Sequence, residues 1–162
     1  MARYEFYNAN IAGTGLYDFR GTRYRRLLQA CFHYSASVAM CVPVDAKIDM
    51  LPIASFRRKV TPQIRTQYAH IGNFTEEDTD QTNTYQLVRY LLVPEVKRFI
   101  MNRTDGIFKW NWENENPEDL TFFRPDGTVF FSVHTREGIC ALNPEEDEDV
   151  SQILRDPRWR EV

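Results

Sequence analysis

The sequence predicts an α+β fold: a single domain over residues 1–162, with one mainly antiparallel sheet and helices packed mainly on one of its faces. Two observations lead to this prediction. The last third of the chain alternates short β-branched and aromatic runs with Pro-Asp-Gly and Arg-Glu-Gly turns, the pattern of a three-stranded meander. Earlier segments with helical spacing alternate with segments of strand composition, which gives the order β-α-β-α-β-α-β-β-β-α.

The first part of the chain predicts a strand, a helix and a second strand. Tyr4–Asn8 is a short strand, followed by a glycine turn at 13–15. The helix begins at Thr22, whose hydroxyl is expected to cap it. Its apolar face repeats at three- and four-residue spacing and comprises Tyr24, Leu27, Leu28, Cys31 and Phe32. Ser37–Val42 carries small and β-branched residues and predicts a buried strand that ends at a proline.

The middle of the chain predicts a helix, a loop, a strand and another helix. Apolar residues spaced by four predict a helix over Ile53–Ala69, kinked or split near Pro62. Asn73–Asn83 is polar and acidic and predicts a surface loop. Tyr85–Val93 fits a strand or a helix, and the proline that follows favours the strand. A short helix then occupies Glu95–Arg103.

The meander and one last helix complete the predicted fold. Leu120–Arg124, Thr128–Thr135 and Ile139–Leu142 are the three strands of the meander. A final acidic helix follows over 144–156. Asn143 or the residue before it is expected to cap this helix, and the carboxylates of its first turn lie near the positive end of the helix dipole.

Composition limits the class of protein. Hydrophobic residues make up 43% of the 162, enough for one packed core. The first ten residues hold no apolar run typical of a secretory signal, and no stretch approaches the roughly 20 apolar residues of a membrane span, so we expect a cytoplasmic protein without membrane contact. Cys31, Cys41 and Cys140 form an odd set without CxxC spacing, and we expect buried, reduced thiols.

Charge is distributed unevenly along the chain. Residues 1–72 hold ten Lys and Arg against four Asp and Glu, whereas residues 73–162 hold ten against nineteen. The basic cluster Arg20, Arg23, Arg25 and Arg26 raises the question of nucleic-acid binding. The sequence pI of about 5.6 argues against it, because nucleic-acid-binding domains are typically basic.

The search for catalytic chemistry leaves one hypothesis. No glycine-rich phosphate loop is present and no cofactor is expected. Cys31 and His33 lie two apart on a helix and point away from each other, so no metal site is expected. If the turn after Thr135 makes that residue the neighbour of Ile139, His134 faces Cys140 on one side of the sheet. That pair would then serve an enzyme of unknown reaction class.

The aromatic residues of the segment FKWNWENENPEDL have two possible roles: they form a binding surface, or they pack into the core. Aromatic residues that alternate with acids can form a binding surface for a basic partner, whereas in the other interpretation they face the core. We predict a partner-binding set consisting of Glu76, Glu77, Asp78, Trp110, Trp112, Glu113, Glu115, Glu118 and Asp119.

The YRRLLQACFHYS helix and the WNWENENPEDLTFFRPDGTVFFSVHTREGICAL segment resemble a loosely defined group of small uncharacterised bacterial proteins. Several of these are similar to immunity proteins of toxin–immunity pairs, and the resemblance covers mostly residues 22–42 and 107–142. It implies a non-catalytic protein that occludes a partner toxin, with the acidic segments 76–80, 113–119 and 145–149 as contacts for a basic partner. A structural or self-assembling protein is a further alternative, and the sequence leaves the oligomeric state open.

Overall fold

The computed structural model describes residues 2–8, 18–43, 57–59 and 85–162. Within this part of the chain, eight strands form one antiparallel sheet. The strands are β1 (Tyr4–Tyr7), β2 (Ser37–Pro43), β3 (Arg57–Lys59), β4 (Tyr85–Leu91), β5 (Glu118–Phe123), β6 (Val129–His134), β7 (Ile139–Leu142) and β8 (Arg160–Glu161). Their order in the sheet is β3-β4-β2-β5-β6-β7-β1-β8. The predicted α+β class with one mainly antiparallel sheet is therefore confirmed.

Three described helices pack together: α1 (Gly21–Tyr34), α2 (Pro94–Arg103) and the short α3 (Ser151–Leu154). Helix α1 contacts α2, α3 and β6. Its predicted apolar face is confirmed, with four residues buried and Phe32 partly buried. None of these helices has the length and apolar character needed to cross a membrane.

One face of the sheet forms the core with the helices. Phe6, Cys140 and Val133 stand opposite one another on β1, β7 and β6, and all three are buried. Val38 and Phe122 continue this face on β2 and β5. Fully burying a side chain of this size contributes roughly 1.5–3 kcal/mol, so this face supplies much of the driving force for folding.

Two β-bulges change the local register of the sheet. Phe122 pairs with Phe131 but Phe123 pairs with Val129, so Phe130 is an extra residue on β6. Phe130 and Phe131 can therefore both join the core although they are adjacent in sequence. The second bulge lies on β5, where the pairing with β2 shifts and Asp119 adopts a φ of 56°.

Several predicted elements agree with the structure and others do not. The strands predicted near Tyr4, Ser37 and Tyr85, the short helix predicted over Glu95–Arg103 and the meander are confirmed. Thr22 does not cap α1, because the helix already begins at Gly21 and Thr22 lies in its first turn. The helix predicted over Ile53–Ala69 is wrong at Arg57–Lys59, which pairs with β4 as a strand. The rest of that segment, the turn at 13–15 and the loop at 73–83 lie outside the described residues.

The predicted acidic helix over 144–156 is wrong along most of its length. Only Ser151–Leu154 is helical, and Asn143 pairs through its backbone N–H with the carbonyl of Phe130. The Glu148 carboxylate accepts the backbone N–H of Glu145 and is bound by Arg124. These tertiary contacts hold residues 143–150 as a loop despite their helical sequence pattern.

Candidate functional site

Cys140 and His134 lie on opposite faces of the sheet. The loop of the last hairpin contains four residues, 135–138, so His134 pairs with Ile139 and Val133 pairs with Cys140. This loop is one residue longer than the pairing hypothesis required, and a shift of one residue turns a side chain to the other face. Cys140 is fully buried, and burial raises the pKa of its thiol well above the ordinary value. The predicted Cys140–His134 pair is therefore wrong.

His134 instead lies beside Ser132 on the face away from the core. Its Nε2 is 3.1 Å from the Ser132 hydroxyl. Desolvation, with a smaller contribution from the positive charge of Arg3, lowers the pKa of His134 to about 4. The imidazole is thus neutral at physiological pH. Among the described residues, no carboxylate is hydrogen-bonded to this ring, although the charge of Glu5 acts on it.

The two neighbouring tryptophans have different environments. Trp110 is fully buried, and its indole N–H donates a 2.9 Å hydrogen bond to the hydroxyl of Tyr24 on α1. Of the two interpretations of this segment, the one in which the aromatic ring faces the core is correct for Trp110. Trp112 is only partly buried, and its indole N–H donates to the carbonyl of Cys41 at 3.2 Å. The guanidinium of Arg136 lies 5.1 Å from the centre of the Trp112 ring.

The four acidic residues after Trp112 that were predicted to bind a partner differ in their exposure to solvent. Glu113 and Glu115 are exposed, whereas Glu118 and Asp119 are buried and do not form an outer contact surface. Glu118 accepts the backbone N–H of Trp112 at 2.9 Å and lies 3.8 Å from Arg136. Burial raises the pKa of Glu118 despite these contacts.

Asp119 supports the hairpin loop from within the sheet. Its carboxylate accepts the backbone N–H of Thr135 at 2.8 Å, and its own N–H donates to the Thr135 hydroxyl. Burial is the largest cause that raises the pKa of Asp119 to about 7, and the nearby charge of Glu118 raises it further. Asp119 has a left-handed backbone conformation at a bulge, which aspartate and asparagine adopt more readily than most other non-glycine residues.

We define the Trp112 surface as Trp112, Glu113, Glu115, Arg136 and Glu137. The two glutamates and the two hairpin-loop residues are exposed. Glu115 closes a 3₁₀ turn with a φ of 59°, and its N–H donates to the carbonyl of Trp112. Arg103 fixes the segment from α2 by donating to the Glu115 carbonyl at 2.8 Å and to Asn116 Oδ1 at 2.7 Å. The surface is thus acidic, contains an aromatic ring and has a fixed backbone.

The other predicted acidic segments have different outcomes. Glu76, Glu77 and Asp78 lie outside the described residues. In the segment 145–149, Glu146, Asp147 and Asp149 are exposed, and Glu148 is bound to Arg124. Arg124 and Arg136 were not among the predicted residues, because the partner of an arginine at the end of a strand or in a turn depends on the strand register.

Among the described residues, no group of three or more His, Cys, Asp and Glu could hold a metal ion. No protein-family model matches the chain, and no curated protein or solved structure is found to be similar to it.

Proposed function

We propose that this protein is a non-catalytic binding domain whose Trp112 surface holds a basic protein partner. The observation that carries the proposal is that the Arg136 guanidinium lies over the Trp112 ring, at 5.1 Å from its centre. Glu113 and Glu137, their neighbours in sequence, and Glu115, which closes the same turn, are exposed acids. Tryptophan and arginine are the residue types that contribute most often to binding hot spots. The carboxylates around them would select a partner of positive charge and speed its approach.

A fixed surface supports the proposal because ordering a loop on binding costs free energy. The backbone N–H of Asn114 donates to the side chain of Asn111, and that of Glu115 donates to the carbonyl of Trp112, which closes the turn. The Glu118 carboxylate accepts the N–H of Trp112, and Arg103 donates to the carbonyl of Glu115. The partner would therefore meet side chains already in place, and little conformational entropy would be lost. On the resemblance to immunity proteins, we propose more specifically that the partner is a toxin. The domain would act in the cytoplasm and block the toxin by occlusion.

A charge-reversal pull-down tests the proposal. The tagged chain is compared with the variant Glu113→Lys/Glu115→Lys as bait in a lysate of the source organism, at low and high salt, with quantitative mass spectrometry. We expect one basic protein to be retained, to be lost at high salt because the contact charges are screened, and to fall at least about tenfold with the variant.

The matched control is Glu146→Lys/Asp147→Lys, which changes the net charge by the same amount on the loop 143–150. It should retain the partner as the unchanged chain does. Equal loss with both variants would mean that net charge alone holds the partner, and retention by the Glu113→Lys/Glu115→Lys variant would show that the contact lies elsewhere. Recovery of only the bait itself would favour self-assembly over partner binding.

A further inference from the structure

A cleft between α1 and α3 is lined by three arginines and shares no residue with the Trp112 surface. Arg23 and Arg26 lie three residues apart on α1 and therefore on one face of that helix, while Arg155 follows the end of α3. Phe19 and Ile153 are buried and form the floor. The cleft has a volume of about 170 Å³.

The charge of this cleft is not balanced by its own carboxylate. Asp156 lines the cleft but accepts two hydrogen bonds from the side chain of Arg158 and lies 3.2 Å from Arg23. Arg26 and Arg155 form no salt bridge with any residue in the described part of the chain. Among residues 2–8, 18–43 and 85–162, therefore, no carboxylate pairs with these two guanidinium groups, which line the cleft together with apolar side chains.

The chemistry of the lining indicates the ligand. A guanidinium binds phosphoryl oxygens through paired N–H donors, so several guanidinium groups around one cleft suit a compact oxyanion. The volume is close to that of a cavity of about 150 Å³ that binds benzene, and well below the roughly 300–1,000 Å³ of sites for drug-sized ligands. It is large enough to enclose a phosphoryl group with a small apolar substituent and too small to enclose a whole nucleotide.

We propose that the cleft binds a small phosphate monoester. Arg23, Arg26 and Arg155 hold its phosphoryl group, and its apolar part rests on Phe19 and Ile153. Since this site is separate from the Trp112 surface, either proposal can fail without the other.

Isothermal titration at low salt with two probes, phenyl phosphate and inorganic phosphate, tests this site. We expect phenyl phosphate to bind several-fold more tightly, because its ring gains contact with the apolar floor. The double variant Arg26→Ala/Arg155→Ala should weaken phenyl phosphate at least about tenfold, since it removes two charge-assisted interactions. Both side chains are exposed, and Arg23 keeps its contact with Asp156, so the fold is preserved.

The matched control is Arg25→Ala, which removes an exposed arginine of the same helix that lies in the groove on the α2 side. We expect its affinity for phenyl phosphate to stay within about twofold of the unchanged chain. Equal weakening by Arg25→Ala and by the double variant would overturn the site, because any loss of positive charge would then suffice. Equal affinity for the two probes would overturn the monoester as the ligand in favour of inorganic phosphate.

Discussion

The acidic segments 113–119 and 145–149 are alike in composition but differ in how they bury a carboxylate. In the second segment, the side chain of Glu148 is only 7% exposed and is bound by Arg124. Desolvation raises the pKa of Glu148, but hydrogen bonds with the guanidinium outweigh it and lower this pKa. In the first, desolvation outweighs the contacts of Asp119 and raises its pKa to about 7. The charge of Glu148 therefore stabilises the fold at neutral pH, whereas the charge of Asp119 opposes it.

The partner of Glu148 explains the difference. Arg124 uses all five of its N–H groups: it donates to Glu148, Thr128 Oγ1 and the carbonyls of Val129 and Asn143. Its guanidinium also lies 5.4 Å from the centre of the Phe130 ring. Arg136, the arginine near Glu118 and Asp119, is exposed and 3.8 Å from Glu118, so solvent weakens its effect on the buried carboxylates. In these two segments, the acid whose arginine is buried with it is stabilising, and the acid whose arginine is exposed is not.

Of the substitutions in these two segments, a change of Arg124 should have the largest effect on stability. We expect Arg124→Met to lower the free energy of unfolding by roughly 3–5 kcal/mol, because the Glu148 carboxylate, whose side chain is only 7% exposed, and the carbonyls of Val129 and Asn143 lose their donor. Denaturant unfolding at pH 7 measures the loss. Arg98→Met is the control, since Arg98 is exposed and only 3.8 Å from Glu95, and it should change stability by less than about 0.5 kcal/mol. A similar small change for Arg124→Met would contradict its role in holding the loop.

Replacing Asp119 should act in the opposite direction. Its pKa in the fold, about 7, lies above the ordinary 3.8, so the folded state binds the proton more tightly and stability falls as the pH rises from about 4 to 7. Asp119→Asn should therefore raise the free energy of unfolding at pH 8 by up to about 4 kcal/mol, with little effect at pH 4. Asparagine also keeps the acceptor for Thr135 and tolerates the left-handed backbone.

Unfolding curves across this pH range, with the exposed Asp147→Asn as a control, measure the effect. The control should change neither the stability nor its dependence on pH. A destabilised Asp119→Asn variant at pH 8 would show that the charged form of Asp119 is needed by the fold.

Replacing Glu148 should change the stability at neutral pH in the direction opposite to that expected for Asp119→Asn. We expect Glu148→Gln to lower stability at pH 7 by roughly 1.5–3 kcal/mol, because hydrogen bonds with a charged partner are lost. The pKa of Glu148 is lowered, so its stabilisation is present above the unfolded value near 4.5 and disappears as the pH falls through the folded pKa. The difference from the unchanged chain should accordingly shrink below about pH 4. A difference independent of pH would assign the effect to packing.

The sequence predicted those parts of the fold that local patterns determine. The meander and α1 follow from turn residues and apolar spacing, and both are confirmed. Residues 144–150 have the pattern of a helix start, yet the Arg124–Glu148 pair joins parts of the chain 24 residues apart and overrides that pattern. Local propensity is a small free energy, and a buried ion pair with several hydrogen bonds exceeds it.

The candidate site was predictable only in part for the same reason. Glu113 and Glu115 are exposed as predicted, but Trp110, Glu118 and Asp119 are buried. Which residue of an acidic run is buried depends on strand register, and here a bulge on β5 places an extra residue before Leu120. The hairpin shows the same dependence on register. Its loop has one residue more than predicted, which places His134 and Cys140 on opposite faces of the sheet. A single sequence does not reveal register at this precision.

Substitutions of exposed carboxylates should show whether their charges serve binding or folding. Glu113→Gln in the first segment and Glu146→Gln in the second should each change the free energy of unfolding by less than about 0.5 kcal/mol, because both side chains are in solvent. Thermal unfolding of the two variants measures this smallest effect. If Glu113→Gln weakens partner retention while both variants keep full stability, the charge at Glu113 serves binding and not folding. A clear loss of stability with Glu113→Gln would instead make that residue part of the structural support of Trp112.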